Sequence, residues 1–207
     1  MKQALTQAAR KVADAEAAAV ASMKGLEDSA VLDRLADLGN QPQLRTISAA
    51  MIVSGLLMGE EQGRRIARAG LRMLVAHEAA TFLKTMIKKR IDRTRPRSAD
   101  RAGGDHRPAP GKHQAKEKTS FPSGHSAGSA AAARAFAREF PEYAAPAAAT
   151  AAALALVQIP RCAHYPTDVA AGVTLGLAAE AAVAALWPAR PPSASGRQEE
   201  ELELSLA

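Results

Sequence analysis

The sequence predicts an all-α helical bundle, and three observations lead to that class. Apolar residues make up 47% of the chain while aromatics are only 3%, and alanine supplies most of the apolar content. Alanine is the strongest helix former and a weak β residue, so the composition favours closely packed helices. Apolar segments recur at about 44–59, 66–87, 126–139, 143–159 and 168–187, most of them joined by short connections. Residues 1–38 read as amphipathic helix in two pieces, broken near Gly25 and ended by "GNQP" at 39–42.

At 207 residues one sizeable core is the expectation. The predicted organisation is an N-terminal amphipathic helical extension at 1–42, a helical bundle at 43–190 and a disordered tail at 191–207, rich in acids such as Glu199, Glu200, Glu201 and Glu203. No apolar core of a signal peptide is visible at the start, since Asp14 and Glu16 interrupt it. "YAAPAAATAAALALVQI" carries no charge over seventeen residues, near the lower limit for spanning a bilayer. "DVAAGVTLGLAAEAAVAALW" is long enough, with Glu180 inside it and Trp187 where an interfacial anchor belongs. The other runs are short or carry Arg68, Arg72, Arg134 and Arg138. Together the five favour a small polytopic membrane bundle.

The connection at 97–121 is rich in Pro, Gly and charge and reads as a loop; loops of that length inside compact domains are usually functional. The formal charge of +6 is concentrated near it. Twelve basic residues between Lys84 and Lys118 face four acids, which puts +8 there and −2 on the rest. Such a block faces something anionic. Nucleic acid fits poorly, because no aromatic residue lies within the block to stack on a base and only Phe82 and Phe121 flank it. The lone Cys162 excludes an internal disulfide and reads as a small packing residue.

The stretch "TSFPSGHSAG" at 119–128 admits two chemistries. Its G-x-S-x-G would present Ser126 as a nucleophile, but that turn needs a buried strand before it and a histidine after the acid in chain order. "KEKTSFP" is no buried strand, and His164, the last histidine, precedes Asp168, so the serine reading fails. The phosphate reading uses other residues. Ser123 is a fitting N-cap, Gly124 permits close backbone approach, and a helix N-terminus attracts an anion beside His125. Lys88 and Arg95 are seven apart and would share a helical stripe ended by Pro96, unless Asp92 simply pairs with both. His164 and Asp168 are four apart, close enough for the carboxylate to hold an imidazole N–H and leave the other nitrogen free. His106 and His113 have no spacing that argues for a metal site with His125.

Lys88-x6-Arg95-Pro96, then Pro122-Ser123-Gly124-His125, then His164-x3-Asp168 together resemble the phosphatidic acid phosphatase type 2 superfamily. The resemblance covers about 80–180. It implies a helical bundle and phosphoester hydrolysis without metal or cofactor, usually by a multi-pass membrane protein acting on lipid phosphates or polyprenyl diphosphates. In bacterial relatives the site faces away from the cytoplasm of the inner membrane. Carried over, His164 is the nucleophile, Asp168 its orienter and His125 the proton donor to the leaving oxygen. Lys88, Arg95, Ser123 and Gly124 hold the phosphoryl oxygens. One departure stands out: the family's serine-arginine pair should fall at 157–158, where this chain has Val157-Gln158. Arg161, one turn later, is the expected substitute if the helix runs on past Pro160. The alternatives are a degenerate bundle that binds lipid phosphate without turnover, and a vanadate-dependent haloperoxidase, since that family shares the pocket.

Overall fold

The computed structural model describes residues 2–99, 106–113 and 115–188; the tail assigned to disorder, at 191–207, lies outside the described residues. Helix α1 (Lys2–Ala21), a 3-10 turn at Lys24–Leu26 and α2 (Ala30–Asp37) form the N-terminal segment, with the break falling around Gly25. Then come α3 (Gln41–Met58), α4 (Glu61–Lys88), α5 (Gly124–Glu139), α6 (Ala144–Leu156) and α7 (Pro166–Leu186). Each of the five apolar runs became one helix. Helix α3 stops at Gly59, whose φ of 68° is the left-handed conformation that glycine adopts without strain.

Helices α4, α5 and α7 pack against one another at the centre, with α3 lying on α4 and α6 on α5. The interface is built largely of small residues: Ala76, Ala80, Ala127, Ala131, Ala132, Ala135 and Ala179 pack with Leu44 and Met73. The α5–α7 contact is close enough to require glycine. A Cβ on Gly176 would lie 2.2 Å from the Ala127 carbonyl oxygen, and one on Gly172 would lie 2.5 Å from that of Ser123. This approach seats the start of α7 against the start of α5, where the Ser123 N–H donates to the Asp168 carbonyl at 2.9 Å. Helix α4 ends at the same place, so three distant parts of the sequence meet at one end of the bundle.

At the other end the charges embedded in the apolar runs are satisfied internally, as buried ions must be. Arg72 Nε donates to Glu139 Oε1 at 2.7 Å, and its Nη2 to the Trp187 carbonyl at 2.6 Å. Glu180 is buried and paired with Arg138. Arg134 lies on the exposed face of α5.

Two expectations about helices are corrected. Helix α4 stops at Lys88 and does not carry Arg95, because the chain turns into a strand, β1 (Ile91–Asp92), paired antiparallel with β2 (Ala109–Pro110). The small ladder organises part of what the sequence presents as plain loop. Beyond it, the Arg93 and Arg95 N–H groups donate to the carbonyls of Lys118 and Glu117 at 2.8 and 2.7 Å. Those bonds hold residue 95 extended. Asp92 pairs with neither Lys88 nor Arg95; it accepts from the His113 backbone N–H at 3.0 Å and contacts the His113 ring. Helix α6 ends at Leu156, thirteen residues long, so it does not run past Pro160 and is too short to span a bilayer.

Candidate active site

The chain from Val157 to Tyr165 is a run of turns that carries His164 to the helix-end cluster. Cys162 is buried within it at a φ of 50°, an uncommon conformation held by its neighbours. The Gln158 carbonyl accepts from the N–H groups of Ala163 and His164 at 3.1 and 3.2 Å. From the other side, the Arg97 N–H donates to the Cys162 carbonyl at 2.9 Å and Arg95 Nη1 to the Ala163 carbonyl at 3.3 Å. The two loops therefore brace each other around His164.

His164 is 2% exposed and Asp168 is fully buried. Their side chains face each other with Nδ1 3.6 Å from Oδ2, and Ser120 completes the link. Ser120 Oγ donates to Asp168 Oδ2 at 2.5 Å and lies 3.4 Å from His164 Nδ1. With its own proton given to the carboxylate, the hydroxyl accepts from Nδ1–H. That arrangement leaves the lone pair on Nε2. Burial lowers the His164 pKa to about 3, with Arg95 and Lys88 adding to the effect against the pull of Asp168. The ring is a neutral imidazole at neutral pH, the form a nucleophile requires.

Asp168 is itself anchored by a residue that motif reasoning passed over. Arg93 is fully buried; its Nη1 donates to Asp168 Oδ1 at 2.6 Å and to Thr167 Oγ1 at 2.8 Å, while Nη2 pairs with Glu16 of α1. Its guanidinium also stacks on the Tyr165 ring, 4.1 Å from the centroid. In the sequence Arg93 is one of twelve cations in a basic run, and nothing local marks it. Ser120 likewise looks like a loop serine.

Lys88 Nζ donates to the carbonyls of Thr119 and Ser120, the latter at 3.3 Å. Burial lowers its pKa to about 7, helped by Arg95 and Lys84 and opposed by Asp168. Arg95 Nε donates to the Lys116 carbonyl at 2.8 Å. Burial and then Arg97 push the Arg95 guanidinium below its usual value. Ser123 caps α5: its Oγ accepts from the Ser126 N–H at 3.4 Å and from the Ser126 hydroxyl at 2.8 Å. Ser126 is thus fully buried with its hydroxyl committed, which agrees with rejecting it as a nucleophile. Gly124 packs on Lys84, whose Cδ would lie 3.0 Å from a Cβ placed there.

His125, Arg95, Arg161 and Gln158 line a cavity of about 400 Å³, together with Asp37 and Asn40 from the N-terminal segment. Burial, then Arg161 and Arg95, lowers the His125 pKa to about 4. Gln158 is fully buried, with Nε2 donating to the Leu154 carbonyl at 3.3 Å and Oε1 accepting from Arg161 Nη1 at 3.2 Å. Arg161 reaches this cavity from a turn, not from a continued helix. The three loop and motif histidines have separate partners: His106 contacts Asp14, His113 contacts Asp92 and His125 contacts Asn40.

A bundle end that gathers Lys88, Arg95 and Arg161 around two neutral histidines, one backed by a buried carboxylate, has the chemistry of a phosphoryl-group site. The chain belongs to the PAP2 superfamily, whose family model matches residues 69–192. It is also similar to the crystal structure of the first transmembrane PAP2-type phosphatidylglycerolphosphate phosphatase, from Bacillus subtilis. There the identity is 21% and the TM-score 0.49, over 88% of this chain and 86% of that one. No curated protein matches the chain.

Proposed function

We propose that the protein is a membrane-bound phosphatase that hydrolyses a phosphate monoester or diphosphate of a lipid through a phosphohistidine. The observation that carries this reading is the His164–Ser120–Asp168 chain, which holds the proton on Nδ1 and the lone pair on Nε2 beside the cations. In the first step Nε2 attacks phosphorus as the bond to the leaving oxygen breaks, and His125 supplies the proton that oxygen takes up. Water then attacks the phosphohistidine, returning its proton to His125 and releasing inorganic phosphate. Lys88, Arg95, Arg161, Ser123 and the Gly124 backbone hold the phosphoryl oxygens, where charge develops in transfer.

Two observations support a membrane setting. Among the described residues one helix, α7, is long and apolar enough to cross a bilayer, with a mean hydropathy of 1.9, and only 28% of that stretch is buried. Large apolar side chains also point outward from the other helices, including Val53, Leu56 and Leu57 on α3 and Leu71, Val75 and Phe82 on α4. Apolar surface of that extent needs a partner, and lipid is the simplest one. The site residues lie at the helix ends and in the loops; in this reading that end of the bundle meets the lipid headgroups and faces away from the cytoplasm.

Purified protein is expected to release phosphate from a panel of lipid phosphates in the presence of excess chelator. Vanadate, which mimics the five-coordinate transition state, should inhibit it. Acid-labile label from a radioactive phosphate donor should map to His164. Activity that disappeared with chelator and returned with magnesium or zinc would overturn this mechanism.

A further inference from the structure

Asn40 lies in the turn between α2 and α3, outside the family match at 69–192. Its Nδ2 donates to Asp37 Oδ1 at 2.9 Å, so its Oδ1 is the atom that faces His125 Nε2, 2.7 Å away. An amide oxygen only accepts, which places a proton on Nε2. The same turn packs on the ring: a Cβ on Gly39 would sit 3.6 Å from His125 Cδ2.

We infer that Asn40, held by Asp37, is a positioning residue that fixes the tautomer of His125 and makes Nδ1 the nitrogen that exchanges protons during turnover. The direction of that exchange rests on the phosphatase reading; the tautomer does not. The charged groups around the ring are Asp37 from α2, Lys84 from α4, Arg95 from the loop before α5 and Arg161 from the turn before α7. In the resting protein burial and then the three cations favour the neutral ring, with its single proton on Nε2 and shared with Asn40. A bound phosphoryl dianion offsets those cations, so Nδ1 takes up a proton as substrate binds. That proton passes to the leaving oxygen as its bond to phosphorus breaks, and the ring returns to the Nε2–H form. The attacking water then restores the Nδ1 proton.

The first test is ¹⁵N NMR of the full-length protein with labelled histidine, at neutral pH. His125 is expected as the Nε2–H tautomer, and Asn40→Ala should add a population protonated on Nδ1. The second test compares an alkyl phosphate with a nitrophenyl phosphate, whose leaving group needs no proton. For Asn40→Ala the loss in turnover on the alkyl ester should exceed the loss on the nitrophenyl ester by about tenfold, part of the usual contribution of a general acid. Asn40→Gln keeps an amide that can donate to Asp37 and accept from the ring, and should restore part of the difference. A wild-type His125 protonated on Nδ1 alone, or equal losses on the two esters, would overturn the inference. Wild-type protein inactive on both esters would instead sink the phosphatase reading, and the spectrum would still decide the role of Asn40. If Asn40→Ala does not fold, the wild-type tautomer and the Asn40→Gln comparison decide it.

Discussion

Arg161 lies against Asp33: its Nε donates to Asp33 Oδ1 at 2.7 Å, and Nη2 approaches the same oxygen at 2.6 Å. A carboxylate from α2 therefore holds the guanidinium at the cavity that Gln158 also lines, 158 being the position where the sequence resemblance led us to expect an arginine. The remaining face of the fork is turned to Gln158 and the cavity.

If Arg161 takes over the missing contact, Arg161→Ala should lower turnover on the order of a hundredfold, as for loss of one transition-state donor. Arg161→Lys should recover only part, since a point charge lacks the fork. A silent Arg161→Ala, together with a more active Gln158→Arg, would show that the cavity lacks its third cation.

His164→Ala is expected to abolish phosphate release, while Ser126→Ala keeps it, because the Ser126 hydroxyl is buried and bound to Ser123. Ser120→Ala should lie between the two: it breaks the link that orders His164 without removing the imidazole or the carboxylate. Single-turnover measurements of phosphorylated protein separate these effects. A dead Ser126→Ala beside an active His164→Ala would reverse the assignment.

The pH profile should follow Lys88. With a pKa of about 7 in the free protein, Lys88 is charged below that pH and neutral above it, so phosphate is held less well as pH rises. His164, at about 3, stays neutral across this range. His125, at about 4 and taking up its proton with substrate, adds a decline that begins far below, so Lys88 shows as a steepening near 7. kcat/KM should therefore fall more steeply as pH rises through about 7, while kcat falls later because bound phosphate keeps the proton on the amine. Lys88→Arg should move the steepening upward by more than a unit or remove it, given the high guanidinium pKa. A kcat/KM profile that does not steepen across this range in the wild type would contradict the assignment.

Arg93 is expected to matter more for folding than for chemistry. Replacing it with alanine leaves the carboxylates of Asp168 and Glu16 buried without their partner, a change that costs about 3–5 kcal/mol. Thermal unfolding of Arg93→Ala should show a much lower midpoint, and Glu16→Ala should share most of that loss. A midpoint within a degree or two of wild type for both would show that the pairs carry no stability.

The helices were legible in the linear order of residues, because apolar periodicity and the Gly and Pro breaks act over a few residues at a time. Each apolar run became one helix, and Ser123 capped α5 as its position before Gly124 and His125 suggested. The motifs also named the groups that meet at one end of the bundle, since Lys88, Arg95, His125, His164 and Asp168 carry their spacing in the chain. The partners of those groups were not legible. Glu16, Asp33 and Asn40 reach Arg93, Arg161 and His125 across 77, 128 and 85 residues, and Ser120 reaches Asp168 across 48. Such pairs have no local signature, because burial of a charge imposes a partner without saying where in the chain it must come from. The conformations of the two site loops had the same origin. Arg95 left the helix and Arg161 was carried on a turn because long-range backbone hydrogen bonds outweighed a weak local preference for continuing the helix.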